Sequence, residues 1–219
     1  MPDVAVKTIG VVGAGAMGTG IANLAAMSGF EVVLRDIEER FLENSKKRMD
    51  AFMEKSVARN KMTVEEKEAA LNRIKTTTDL KDLKDVDFVI EAVLEDMELK
   101  KSVFKELDEV TRDDVILATN TSSMSITEIA AATKRPERVA GFHFFNPAQI
   151  MKLVEIVRGF NTSDETVDRL KAIAEQLNKE YVVVNKDTPG FIVNRVMIPH
   201  FIESIRLLEE GVASAEDID

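Results

Sequence analysis

Gly13-Ala14-Gly15-Ala16-Met17-Gly18 follows the apolar run Lys7–Val12 and opens a stretch of small and apolar residues that ends at Ser28-Gly29. The run is short and stops at glycine, which predicts a buried strand. The stretch from Ala16 to Ser28 has helical spacing, and glycine after it is a usual helix stop. Glu31 to Arg35 then reads as a second strand ending at Asp36. Strand, turn, helix and strand within about 30 residues has the length of a βαβ unit. In such a turn the first glycine permits the bend, the second lets a diphosphate reach the backbone, and the third lets helix and strand pack closely. The helix start adds free N–H donors and the positive end of its dipole.

This arrangement, with an acid at the end of the following strand, predicts a dinucleotide site at Gly13, Gly15, Ala16, Met17, Gly18 and Asp36. Asp36 is placed to accept hydrogen bonds from the adenine-ribose hydroxyls and repels a 2′-phosphate, so NAD is expected over NADP. Arg35 beside it would instead welcome that phosphate.

Outward from this unit, Glu38 to Arg73 is charged and helical in period, with a break near Asn60-Lys61-Met62. It is too long for a simple crossover and predicts a helical hairpin, about 38–73, projecting from the sheet. Asp87–Val93 and Asp114–Thr119 read as buried strands with a helix, Met97–Val110, between them. Val139–Phe144, Leu153–Arg158 and Tyr181–Val184 read as further strands, with a helix over Asp164–Leu177. Strands alternating with helices predict a doubly wound, mostly parallel Rossmann-type α/β sheet. From Pro189 to Glu210 a single long, apolar helix is expected, with Pro189 in its first turn and a kink at Pro199. The domain boundary is therefore placed at 187, with 188–219 beginning a second, helical unit.

The chain has 219 residues, 45% apolar and 31% charged, an ordinary balance for a soluble globular protein. It has no cysteine, so a disulfide framework, a thiolate zinc site and a cysteine nucleophile are all excluded, and no metal is expected. Met1–Lys7 lacks a basic head before a long apolar run, so no signal peptide is expected. No stretch is long enough to span a bilayer, and a cytoplasmic setting is expected. A formal net charge of −10 argues against general affinity for nucleic acid.

Open parallel sheets bind ligands beyond the carboxyl ends of their strands. Three segments there carry polar groups: Glu91 with Glu95, Asn120-Thr121-Ser122-Ser123, and His143 before Phe144-Phe145-Asn146-Pro147. Oxidising an alcohol needs a base for the hydroxyl proton, and neutral imidazole titrates near working pH. His143 stands where that base is needed, although three neighbouring phenylalanines also fit a core histidine. Glu155 on the next strand is able to orient the imidazole and stabilise its protonated form. The other histidine, His200, reads as a packing or surface residue.

Residues 13–22, Asn120-Thr121-Ser122-Ser123, Gly141 to Pro147, Met151 to Glu155 and Lys186 to Arg195 together resemble the 3-hydroxyacyl-CoA dehydrogenases, over essentially the whole chain. The likeness is nearest to short-chain bacterial members. It implies an NAD-dependent oxidoreductase of fatty-acid metabolism (β-oxidation) that converts (S)-3-hydroxyacyl-CoA to 3-ketoacyl-CoA, with 3-hydroxybutyryl-CoA and acetoacetyl-CoA as the expected couple. It implies His143 as catalytic base with Glu155 as partner, and Ser122 and Asn194 as hydrogen-bond donors to the reacting oxygens. Glu95, Lys100, Ser122 and Asn146 would contact the nicotinamide half of NAD. Lys55 and Arg59, one helical turn apart on the hairpin, would face the CoA phosphates, while Phe52 departs from the serine some members have there. The resemblance further implies a helical C-terminal domain that dimerises. Only its first helix is expected here, and Ser214-Ala215-Glu216-Asp217 reads as the cap of a helix that does not follow.

Two rivals share parts of this pattern. A β-hydroxyacid dehydrogenase of the 6-phosphogluconate type shares the glycine loop but uses a lysine base on a glycine-rich helix, and Phe191–Leu208 offers neither. A non-catalytic NAD-binding protein of the lens-crystallin kind would have no need to keep His143, Glu155, Ser122 and Asn194 together.

Overall fold

A computed structural model describes residues 6–219; most of the Met1–Lys7 stretch, on which the signal-peptide reading rests, lies outside the described residues. Strand β1 (Thr8–Val12), helix α1 (Ala16–Met27) and strand β2 (Glu31–Arg35) form the predicted unit. The remaining strands are β3 (Ile74–Thr77), β4 (Phe88–Glu91), β5 (Ile116–Thr119), β6 (Val139–Phe144), β7 (Leu153–Arg158) and β8 (Glu180–Val184). They make one eight-stranded sheet in the order β3-β2-β1-β4-β5-β6-β7-β8. Every pairing is parallel except β6 with β7.

The hairpin is α2 (Glu39–Ala58) followed by α3 (Val64–Asn72). Leu42, Ser45, Met49 and Met53 are its buried positions on α2, a three-and-four spacing that gives one inward stripe. Thr63 and Glu66 close α3 with a reciprocal capping box. The other helices are α4 (Met97–Val110), α5 (Ile126–Ala130), α6 (Asp164–Gln176), α7 (Val193–Glu209) and α8 (Ala215–Ile218). One face of the sheet is covered by α1, α2 and α6 through Ile21, Leu42 and Leu170. The other is covered by α4 and α5 through Phe104, Leu107 and Ile129. Burial on both faces explains why the central strands read as continuous apolar runs.

Strand order reverses between β1 and β4, and the crevice beyond their carboxyl ends is where such a sheet takes ligands. The structure departs from the sequence-based expectations at three places. Ile74–Thr77, which carries no predicted element, is an edge strand paired with β2. Helix α7 begins at Val193 rather than in a first turn at Pro189, because Gly190 and Phe191 take φ values of +77° and +49° and break the helical path; α7 then runs through Pro199 as one helix. The Ser214 cap does lead into a helix: its hydroxyl accepts from Asp217 N–H at the start of α8. Among the described residues no helix is long and apolar enough to cross a membrane.

Candidate active site

A cleft of about 790 Å3 runs along the carboxyl ends of β1, β2, β4, β5 and β6. Gly13, Gly15, Ala16, Met17 and Asp36 line one end of it. Glu95, Lys100, Ser122, His143 and Asn146 line the other. Gly18 lies beneath the loop, outside the lining.

The first end fits a dinucleotide on its own geometry. Gly13 has φ +104°, and a Cβ there would meet the Ala92 carbonyl oxygen at 2.5 Å. A Cβ on Gly18 would lie 1.7 Å from the Gly13 oxygen, so helix and turn touch directly. At Gly15 nothing lies within 4 Å of such a Cβ, which leaves the backbone open to the cleft. Helix α1 has no side-chain cap and no acid in its first turn, so its N–H groups face that opening free for phosphate oxygens. Asp36 is more occupied than its place in the sequence suggests: Oδ2 accepts Ala14 N–H at 2.6 Å and Oδ1 accepts Ile37 N–H at 2.7 Å. It therefore shapes the loop, and each oxygen keeps a lone pair for a ribose hydroxyl.

At the other end, antiparallel β6 and β7 place His143 directly opposite Glu155. Directly opposed residues project from the same face of the sheet, and Nδ1 of His143 lies 2.7 Å from Oε2 of Glu155. Glu155 is fully buried. Its Oε1 accepts the N–H groups of Ile192 and Val193, each at 3.0 Å, so the same carboxylate holds the start of α7. Burial pushes the Glu155 carboxyl up, but the bond from His143 and the two N–H donors outweigh it and leave it below the ordinary carboxylate range. An ionised Glu155 keeps the proton on Nδ1 and leaves the Nε2 lone pair of His143 for the cleft. Phe145 and Phe191 pack on the ring at centroid distances of 4.7 and 5.6 Å. His143 is thus both packed among aromatics and open to the cleft.

A second polar chain runs under the same end. Lys100, buried on α4, reaches Glu91 at 2.8 Å and Glu95 at 3.2 Å. Glu91, fully buried, also accepts from Val93 N–H and the Thr119 hydroxyl, both at 2.7 Å. Glu95 accepts from Thr121 Oγ1 and, at 2.9 Å, from Ser122 N–H. Burial raises the Glu95 carboxyl, yet Thr121, the Lys100 charge and Ser122 together hold it below its usual range. Asn120 Oδ1 caps Phe144 N–H at 2.9 Å and ties the β5 loop to β6.

Asn146 begins the loop 146–151, which is clamped from below. Lys179, buried ahead of β8, donates to the carbonyls of Ala148 at 2.6 Å and Met151 at 2.7 Å. Nothing in the sequence marked this lysine, because an isolated cation in a polar turn looks like a solvated one. Besides Gly18 and Glu155, which lie outside its lining, three predicted residues are not brought into the cleft. Asn194 sits half-buried in the first turn of α7, just beyond the segment held by Glu155. Lys55, in the last turn of α2, and Arg59, just after it, are exposed. His200 is exposed on α7, as a surface reading of it required.

A model of the 3-hydroxyacyl-CoA dehydrogenase NAD-binding domain matches residues 8–188, and one of the same family's C-terminal domain matches 190–219. The chain belongs to the 3-hydroxyacyl-CoA dehydrogenase family. Its cofactor is NAD and its class is oxidoreductase. It is 44% identical to a 3-hydroxybutyryl-CoA dehydrogenase of Clostridioides difficile, over 96% of this chain and 75% of that one. It is 45% identical to the mitochondrial hydroxyacyl-coenzyme A dehydrogenase of Sus scrofa, over 98% of this chain and 70% of the relative. The crystal structure of (S)-3-hydroxybutyryl-CoA dehydrogenase from Ralstonia eutropha superposes with a TM-score of 0.94 at 43% identity, covering 98% of this chain and 76% of that one. Family membership settles the rivalry with the 6-phosphogluconate type.

Proposed function

We propose that this protein oxidises the 3-hydroxyl of an (S)-3-hydroxyacyl-CoA to a ketone, with 3-hydroxybutyryl-CoA and acetoacetyl-CoA as its couple. The supporting observation is the His143–Glu155 pair, 2.7 Å apart, at the far end of the cleft that begins at the glycine cradle. The short-chain preference and the CoA thioester come from the names of the similar dehydrogenases.

Nε2 of His143 takes the hydroxyl proton as the carbon–hydrogen bond at C3 breaks with both its electrons. The Gly13–Gly18 loop and Asp36 would hold NAD, which would supply the hydride acceptor. Glu155 stabilises the imidazolium that results and fixes the ring's orientation. Ser122 and Asn194 hydrogen-bond the reacting oxygens. Glu95, Lys100, Ser122 and Asn146 hold the nicotinamide half. Lys55 and Arg59, at the end of α2, take the CoA phosphates. Because Glu155 also anchors the first turn of α7, it positions Asn194 as well as His143. The apolar side chains of α7, among them Val196 at 69% and Ile205 at 57% exposure, support self-association as a homo-oligomer. A cytoplasmic setting completes the proposal, supported by the absence of cysteine.

The test is oxidation of NADH in the presence of acetoacetyl-CoA. Turnover with acetoacetyl-CoA and none with a free 3-keto acid is the expected result. Equal turnover of the free acid would overturn the assignment of a CoA thioester.

A further inference from the structure

The Glu91–Lys100–Glu95 chain contains two carboxylates and one ammonium. Every group that meets Glu91 is a donor: the Lys100 ammonium, the Val93 N–H and the Thr119 hydroxyl. The Thr119 oxygen already accepts Thr121 N–H at 3.2 Å, which leaves its proton for Glu91. Glu91 is therefore an acceptor-only carboxylate, and the cluster carries one net negative charge. Glu91 and Lys100 are 0% and 1% exposed, while the Glu95 side chain is 39% exposed. Glu95 and Lys100 form part of the cleft wall, so the excess charge faces the cleft.

An uncompensated carboxylate charge beside a partly buried cleft attracts a cation, and the oxidised nicotinamide ring carries one positive charge that the reduced ring lacks. We infer that the net charge of Glu91, Lys100 and Glu95 sets the preference of the site between NAD+ and NADH, with Glu91, which does not itself line the cleft, supplying the excess carboxylate through Lys100. This deepens the cofactor assignment under Proposed function and rests on it. It also separates two roles. Glu155 is the counter-charge for the proton that reaches His143. The Glu91 cluster is the counter-charge for the nicotinamide, and it favours the oxidised form. Glu91 is a positioning and specificity residue, not a catalytic one.

Calorimetric titration of NAD+ and NADH into the whole protein tests this without turnover. Glu91→Gln preserves size and removes the excess charge, so the ratio of the NAD+ to the NADH dissociation constant should rise by roughly tenfold, the scale of one unit charge acting across a partly buried pocket. Glu95→Gln, whose side chain is 39% exposed, should shift the ratio the same way and keeps the test decisive if the first variant does not fold. Thr119→Val removes a partner of Glu91 without changing charge and should leave the ratio unchanged. Wild-type protein that binds neither form would overturn the cofactor reading. Wild-type binding of both, with equal losses of NAD+ and NADH affinity in Glu91→Gln and Glu95→Gln, would overturn the charge assignment alone.

Discussion

Replacing Glu155 by glutamine separates its two attachments. The side chain makes three hydrogen bonds, one from His143 and two from the start of α7. Glutamine's carbonyl oxygen can retain both backbone N–H groups, because one side-chain oxygen makes both of them. Its amide nitrogen then faces Nδ1 of His143 and can only donate. Nδ1 must become the acceptor and the ring proton must move to Nε2, the atom that needs its lone pair for the substrate. Stability should fall by about 1–2 kcal/mol, because bonds to a charged oxygen become bonds to a neutral one. Turnover should fall by about 10³, within the range lost when a general base is disabled by the wrong tautomer. Cofactor affinity should hold, since Glu155 lies outside the cleft lining.

The pH dependence has a definite sign. Folding lowers the Glu155 pKa, so the stability it contributes is complete above the unfolded carboxylate value and is lost as pH falls through the lowered folded one. The difference in stability between wild type and Glu155→Gln should therefore shrink in acid. Steady-state kinetics, NADH titration and urea unfolding at several pH values provide the assay. Turnover within about threefold of wild type would refute the tautomer reasoning, since a disabled general base costs far more.

Gly18→Ala places a Cβ 1.7 Å from the Gly13 oxygen; NADH binding should be lost, and thermal unfolding should report destabilisation of about 3 kcal/mol or more. Lys179→Met removes two bonds that hold the 146–151 loop, but also removes a buried ammonium whose pKa burial pushes down. These effects oppose each other, so stability should change by less than about 1 kcal/mol while NADH affinity drops several-fold; a large stability loss with intact affinity would contradict the clamp. NAD(H) should bind more tightly than NADP(H) because Asp36 faces the added phosphate, and equal binding by titration would point to Arg35 instead. Phe201→Glu on the exposed face of α7 should lower the mass measured by light scattering, and a clean monomer in the unmodified protein would remove that account of α7.

The elements legible in the sequence are those whose burial leaves a compositional trace. Val11, Ile90, Leu117 and Phe142 sit in strands covered on both sides, and the glycine loop announces its own geometry. Ile74–Thr77 leaves no such trace: it is a half-buried edge strand, mostly polar, created by pairing with β2. The start of α7 misled because Pro189 fits a first turn locally, whereas Phe191 is drawn into the core beside His143 with left-handed φ. Glu155 was legible as a partner for His143 from its place on the next strand, and the antiparallel register that sets the two residues opposite each other came only with the structure. The hold of Glu155 on Ile192 and Val193 was not legible, since it joins segments far apart in the chain. Lys179, and the buried partners of Glu91, stayed hidden for a related reason. A charged residue reads as solvated until the packing around it is known.

The most direct measurement is turnover of NADH with acetoacetyl-CoA by wild type and His143→Gln, alongside NADH titration of both. The account predicts nearly unchanged NADH binding and a fall in turnover of roughly 10² or more. Normal turnover by His143→Gln would make the histidine a core residue packed between Phe145 and Phe191, and would contradict the mechanism.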